Sequence, residues 1–152
     1  WITVTHTQRW HASHKTAGTG PVYQGRFKSF PVQEDEHFLT VCRYVERNAL
    51  RAKLVEQAEA WRWGSLNACT QGGPSAELLT NWPIRRSANW VQHVNTPQTE
   101  AEVQAIRQAI QRGRPYGAAD WTTETAAQLH LESTLGPRGR PRKPPDQDRK
   151  GS

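Results

Sequence analysis

The sequence predicts an α+β chain in which one strand-like segment is followed by several helices. Residues 22–32 alternate in part between apolar and polar side chains, and Pro31 places such a strand at an edge or at its own end. Residues 34–56 have the strongest helical pattern, with acidic side chains in the first turn, where the helix dipole favours them. Residues 1–16 suit a strand or a helix, and residues 17–21 form a break.

Two further helices are predicted at about residues 99–112 and 118–131. Thr99 and Glu102 form a capping-box pattern at the start of the first one, and Gly113 marks its end. The turn chemistry at both ends therefore agrees with the apolar periodicity between them.

Positive charge is concentrated at the two ends of the chain, whose formal net charge is +6. Residues 1–66 have nine lysines and arginines against six acidic residues, residues 67–136 have five against six, and residues 137–152 have six against two. We expect these segments to be a main domain, a helical accessory region and a disordered basic tail. The basic balance favours a polyanionic partner, most often nucleic acid.

The two cysteines and the hydropathy predict a cytoplasmic protein. Cys42 and Cys69 have no metal-ligand spacing, so we expect free thiols, as in a cytosolic chain. No run approaches the roughly 20 apolar residues of a membrane span, so we expect no membrane partner.

The helix at residues 34–56 should turn an apolar stripe to the core and a polar face away from it. At 100° per residue the stripe lies within about 80° and comprises Phe38, Cys42, Val45, Ala49 and Ala52. The polar face is centred on Tyr44, and within about 60° of it lie His37, Arg47, Asn48 and Arg51. Tyr44 should therefore not pack in the same layer as the stripe.

That polar face suits phosphodiester chemistry. A tyrosine hydroxyl can attack phosphorus and form a phosphotyrosine bond if a base, a metal ion or positive charge assists it. Arg47 and Arg51 could bind phosphate oxygens, and the Asn48 carbonyl oxygen suits a hard cation such as Mg²⁺. The alternative is a solvated helix face with a half-buried tyrosine, and spacing alone does not distinguish Tyr44 from the other two tyrosines.

Three sequence blocks occur in a fixed order within residues 1–66. They are residues 20–29 (GPVYQGRFKS), residues 42–52 (CRYVERNALRA) and residues 61–66 (WRWGSL). In order and spacing they resemble the QGRFK-like strand, the RYxxxNPxRA helix and the W-S-S turn of REP-associated tyrosine transposases. These are single-tyrosine HUH transposases of insertion sequences. Each block is weak alone, and the combination is specific.

The resemblance implies that residues 1–66 are the C-terminal part of a ferredoxin-like HUH transposase domain. It implies that Tyr44 attacks single-stranded or hairpin-forming repeat DNA, leaving a 5′-phosphotyrosine and a free 3′-hydroxyl. A divalent cation, Mg²⁺ or Mn²⁺, assists in the full-length protein, and Asn48 occupies a position that completes its site. Arg26 and Lys28 become DNA-backbone contacts, although Arg26 is equally suited to a salt bridge with the acidic helix start. The implied location is the cytoplasm, at the nucleoid.

This sequence departs from the family pattern in three ways. The His-hydrophobic-His pair that holds the metal lies upstream of these residues in the family, and the spacing of His11 and His14 does not replace it. Ala49 stands in place of the motif proline, and Gly64 in place of the first serine of the W-S-S turn. Roughly half of the catalytic fold is missing. We therefore expect a fragment that cleaves no DNA by itself.

The basic tail resembles a known minor-groove motif. Residues 137–143 (PRGRPRK) are similar to an AT-hook, whose arginines lie in the narrow minor groove of A·T-rich DNA. The predicted DNA contacts of this segment are Arg138, Arg140, Arg142 and Lys143. The alternative is a solubilising tail with non-specific affinity for phosphate.

Two other interpretations of the whole chain stay open. One is a non-catalytic DNA-binding protein that uses its helices and its basic tail. The other is a chain without a stable fold, because missing strands would expose the apolar stripe.

Overall fold

The computed structural model describes residues 1–23 and 28–136, and the regular secondary structure in these ranges is helical. Its α-helices are α1 (Ile2–His14), α2 (Glu36–Glu46), α3 (Asn48–Arg51), α4 (Ser65–Gln71), α5 (Trp90–Asn95), α6 (Glu100–Arg112) and α7 (Ala119–Gln128). Short 3-10 turns lie at Ala58–Ala60, Ala76–Leu78 and Glu132–Thr134. Among the described helices, none combines the length and the apolar content that a membrane crossing demands.

The predicted α+β, ferredoxin-like fold is wrong for the described residues, which contain no β-sheet. Within the segment predicted as a strand, Val32 forms an isolated parallel bridge with Tyr116, and residues 24–27 lie outside the described ranges. The Gln33 amide donates to the Tyr116 carbonyl at 3.0 Å, and the Tyr116 amide donates to the Pro31 carbonyl at 2.9 Å. A sheet requires several such pairings between extended neighbours. This segment pairs only at Val32, with the turn after α6, so no sheet forms in the described residues despite the alternating pattern.

The helices predicted downstream are confirmed, with small shifts at their ends. At the start of α6, the Thr99 hydroxyl accepts from the Glu102 amide at 3.2 Å, and the Glu102 carboxylate accepts from the Thr99 amide at 2.7 Å. Gly113 ends α6 with φ at 67°, where glycine avoids a side-chain clash. The helix predicted at residues 118–131 is the shorter α7. Residues 1–16, which suited either element, form α1.

The helix predicted at residues 34–56 is shorter and divided. α2 begins after Asp35, whose carboxylate accepts a hydrogen bond from the His37 amide at 2.8 Å. Arg47 lies in a turn between α2 and α3. The chain leaves α3 through Lys53, whose φ is 58°. Such a left-handed residue ends a helix, which explains why the pattern does not continue to residue 56.

The buried face of α2 is polar at its centre, unlike the predicted apolar stripe. Val45 is 60% exposed and Ala52 is exposed, so the predicted core positions are wrong for these two residues. Arg43 and Glu46 are buried instead, with 6% and 7% of their surface exposed. Ala49 is buried and Phe38 and Cys42 are half-buried, as predicted. Hydropathy assigns charged side chains to the surface, so the apolar pattern did not include Arg43 and Glu46 in the buried face.

The core lies where α2, α4 and α5 meet, and apolar side chains surround the Glu46 carboxylate. The core comprises Ala58, Leu66, Trp90 and Val94, with Leu39, Cys42, Leu50, Trp82 and Val91 packed against them. Glu46 Oε2 accepts from Trp90 Nε1 at 2.7 Å, and Glu46 Oε1 accepts from Ser65 Oγ at 2.8 Å. An Arg86 nitrogen lies 3.9 Å from Glu46 Oε1. These partners compensate for removing the carboxylate from water.

Arg43 in α2 and Arg47 in the turn after α2 both bind the C-terminal end of α5. Arg43 donates to the Thr96 carbonyl oxygen at 2.7 Å. Arg47 donates to the Val94 carbonyl oxygen at 2.9 Å. The last carbonyl groups of a helix lack partners within it and bear partial negative charge, so both guanidinium groups stabilise this end. Arg43, Glu46 and Arg47 together form the polar seam of α2.

Thiol labelling should report the packing of α2 against the core, because Cys42 is half-buried whereas Cys69 is exposed. Burial, as the larger cause, and the Glu46 carboxylate, as the second, together raise the pKa of the Cys42 thiol to about 11. Since the thiolate is the reactive form, a maleimide near neutral pH should label Cys42 in a Cys69→Ser variant about tenfold or more slowly than Cys69 in a Cys42→Ser variant. Equal rates in the folded protein would place Cys42 at the surface and contradict this packing.

Arg43→Met should lower the free energy of unfolding by about 1–3 kcal/mol, because the end of α5 would lose a buried charged donor while the apolar stem is kept. Urea unfolding monitored by circular dichroism measures the change. Arg107→Met is the matched control, since Arg107 is exposed on α6, and its effect should stay within about 0.5 kcal/mol. If both substitutions lowered the free energy of unfolding equally, the polar seam would not stabilise the fold in the way described.

Candidate functional site

Tyr44, Asn48 and Arg51 lie together at the junction of α2 and α3 and are named the tyrosine cluster. The Arg51 guanidinium carbon is 4.0 Å from the centre of the Tyr44 ring, a cation–π contact. Arg51 also donates to the Asn48 side-chain oxygen at 2.9 Å. Tyr44 is partly buried, and Asn48 is exposed. The structure therefore brings together three of the residues that were predicted from the sequence to act in phosphodiester chemistry.

Helical spacing explains why these three side chains meet. Asn48 and Arg51 follow Tyr44 by four and seven residues, which is about one and two helical turns. At 100° per residue, all three lie roughly 140–160° around the helix from Glu46. Since Glu46 faces the core, burial of the polar seam turns the tyrosine cluster towards the surface.

Arg47, another predicted DNA contact, is engaged in the fold itself. Its guanidinium donates to carbonyl oxygens at the end of α5. Burial lowers the pKa of Arg47 from its ordinary value, and the nearby Arg43 and Arg51 cations lower it further. Positive charge is therefore concentrated at the C-terminal end of α2, with Arg47 positioned to hold α5 and Arg51 placed beside Tyr44.

The described residues do not fit the divalent-cation site that the resemblance implies. Within residues 1–23 and 28–136, no group of three or more His, Cys, Asp or Glu side chains is placed to hold a metal ion. The Asn48 oxygen, predicted as a ligand, accepts from the Arg51 guanidinium, and that cation would repel a metal ion. His37, on the same predicted face, pairs with the Asp35 carboxylate at 2.8 Å.

The other predicted DNA contacts lie away from the tyrosine cluster or outside the described residues. Lys28 is exposed beside a cleft that it lines together with Arg112 and residues 133–136. Arg26 lies within residues 24–27, outside the described ranges. The same holds for Arg138, Arg140, Arg142 and Lys143. The DNA-binding roles of these residues stay predictions.

The polar seam is the feature that sequence reasoning missed. A buried tryptophan such as Trp90 needs an acceptor for its indole N–H. Arg43 and Glu46 are three residues apart, so they share one helix face. These two signals together could have indicated a buried polar face, but no local pattern pairs Glu46 with Trp90.

No protein-family model, curated protein or solved structure matches this chain. A functional assignment therefore depends on the geometry of the tyrosine cluster and on the three sequence blocks that resemble the transposases.

Proposed function

We propose that this chain forms part of a DNA transposase that cuts and rejoins single-stranded DNA through a 5′-phosphotyrosine bond at Tyr44. The tyrosine cluster is the observation that supports this proposal. It places a phenol and a guanidinium group 4.0 Å apart, on a partly exposed helix face and next to an exposed carboxamide.

The proposed step is a transesterification. The Tyr44 hydroxyl oxygen attacks a backbone phosphorus atom, and the bond between that phosphorus and the 3′ oxygen of the neighbouring nucleotide breaks. The phenol gives up a proton, and the departing 3′ oxygen gains one to become a hydroxyl. One phosphodiester replaces another without water, so a different 3′-hydroxyl can reverse the step and join new ends.

Arg51 is the residue proposed to bind the reacting phosphate. Its guanidinium has five N–H donors, and Asn48 and the Tyr44 backbone oxygen occupy two of its nitrogens. The remaining donors suit non-bridging phosphate oxygens, which accept forked hydrogen bonds. Asn48 orients Arg51 in this scheme. No step is assigned to a divalent cation, because the described residues do not form a site for one.

The substrate and the location are proposed on charge and resemblance. A net charge of +6 favours a polyanion. The sequence blocks favour single-stranded or hairpin-forming repeat ends. Such a protein would act in the cytoplasm, at the nucleoid.

A non-catalytic DNA-binding protein is the second candidate. The described residues offer cations for phosphate contact, among them Arg51 and Lys28, but no general base in hydrogen-bond contact with the Tyr44 hydroxyl. In that case the tyrosine cluster would position the DNA backbone and leave it intact.

Tyr44→Phe should abolish a covalent DNA–protein adduct, because a phenylalanine ring has no attacking oxygen. The assay mixes the protein translated from the complete natural reading frame with an end-labelled, hairpin-bearing single strand and Mn²⁺, followed by a denaturing gel. Tyr116→Phe is the matched control and should retain the adduct, since Tyr116 contacts His37 rather than the tyrosine cluster.

An adduct that persists in Tyr44→Phe would contradict the proposed nucleophile. Absence of any adduct, with DNA binding retained, would support the non-catalytic candidate instead.

Deletion of residues 137–152 should weaken DNA binding and flatten its salt dependence, because the deletion removes six basic residues. The slope of log affinity against log salt should fall by about 0.9 for each duplex phosphate that the tail neutralises in the intact chain. The matched control deletes residues 144–152, which have two basic and two acidic residues and leave residues 138–143 in place. An unchanged slope in the longer deletion would argue against DNA binding by the tail.

A further inference from the structure

A groove of about 400 Å³ adjoins the tyrosine cluster and has no part in the proposed transesterification. Val45 and Asn48 line it from α2 and α3, and Trp61 and Trp63 line it from the turn before α4. Asn48 connects the two sites, because the same side chain lines the groove and accepts the hydrogen bond from Arg51. A ligand in the groove would therefore lie next to any phosphate bound by Arg51.

The groove exposes an unusual amount of apolar surface. Trp63 is 72% exposed, Leu54 is 62% exposed and Val45 is 60% exposed. The Arg62 guanidinium carbon lies 4.0 Å from the centre of the Trp63 ring. The guanidinium covers one face of the indole, and the rest of the side chain is open; bases of single-stranded nucleic acids stack on exposed aromatic rings of this kind.

The position of Trp63 is fixed by its neighbours in the chain. Ser65 donates to the buried Glu46 carboxylate and so ties this turn to the core. At Gly64, an added Cβ would lie 3.3 Å from both the Trp61 ring and the Trp61 carbonyl oxygen. Trp63 is exposed on a turn in which the Gly64 amide donates to the Trp61 carbonyl oxygen at 2.9 Å and which Ser65 ties to the core.

We propose that this groove binds an unpaired nucleobase, stacked on Trp63, of the DNA strand whose phosphate lies at Arg51. The proposal rests on the proposed function and names single-stranded DNA as the ligand of that site. The groove volume falls within the range of about 300–1,000 Å³ that holds one small ligand, so it fits a flat ring better than a protein helix.

Charge favours the same ligand. Arg51 contacts Asn48 and Arg62 contacts Trp63, and both partners line the groove, so two cations lie next to it where an anionic strand would bind. The Glu46 carboxylate in the lining is already occupied by Trp90 and Ser65. Bases in a duplex are stacked inside the helix, so stacking on Trp63 should select unpaired DNA.

The test measures the affinity of the full chain for a fluorescent oligodeoxythymidylate by anisotropy at fixed salt. Trp63→Leu should raise Kd by about tenfold, which is typical of removing one base–aromatic stack. Trp63→Phe should restore most of the affinity, because it returns an aromatic face. Trp1→Leu is the matched control, since Trp1 is 93% exposed outside the groove, and its Kd should stay within about twofold of the unchanged protein.

Two further probes separate base stacking from backbone contact. Against an oligonucleotide of the same length that lacks its bases, and against a blunt duplex, Trp63→Leu and the unchanged chain should have equal Kd values. With oligodeoxythymidylate, the slope of log affinity against log salt should also be the same for Trp63→Leu and the unchanged chain, because Trp63 binds no phosphate. The proposal is overturned if both proteins bind oligodeoxythymidylate equally well, or if Trp63→Leu weakens binding equally on all three probes. It is also overturned if the unchanged chain does not bind single strands.

The result that would overturn the proposed function is a different one from the result that would overturn the base site. Absence of Trp63-dependent stacking overturns the base site alone, whereas an adduct that does not depend on Tyr44 overturns the nucleophile alone.

Discussion

The buried carboxylate of Glu46 is the constraint on which the rest of this structure depends. A carboxylate among apolar side chains is costly unless donors surround it, and Glu46 has them from two different helices. Trp90 donates from α5, and Ser65 donates from α4. Since both donors must reach one side chain, α2 can pack in one rotation only, and Arg43 then lies against the open end of α5.

That rotation also determines what α2 and α3 present to solvent. Tyr44, Asn48 and Arg51 lie on the far side of the helix from Glu46, so the interaction that buries the polar seam exposes the tyrosine cluster. The same carboxylate anchors the turn before α4 through Ser65, which places Trp63 at the edge of the groove. One buried charge therefore positions both the proposed nucleophile, which lies on the opposite face of the helix, and the proposed base site, whose lining includes Glu46.

Local chemistry determined which parts of the structure could be predicted. α6 was predictable nearly to the residue, because Thr99 and Gly113 mark its ends. The grouping of Tyr44 with Arg51 followed from helical spacing alone. The rotation of α2 was not predictable, because it depends on Trp90, which lies 44 residues from Glu46 in the sequence. The predicted sheet failed for a similar reason, since an alternating segment becomes a strand only when other strands lie beside it.

A double-mutant cycle between Glu46→Leu and Trp90→Phe measures how strongly the Glu46 carboxylate and the Trp90 indole N–H stabilise each other. Urea unfolding of the unchanged chain, both single variants and the double variant gives the coupling free energy between the carboxylate and the indole N–H. We expect a coupling of about 1.5–3 kcal/mol, the range for a hydrogen bond to a charged group. Effects that add to within about 0.5 kcal/mol would contradict the account, because the Glu46 carboxylate would then not determine the rotation of α2.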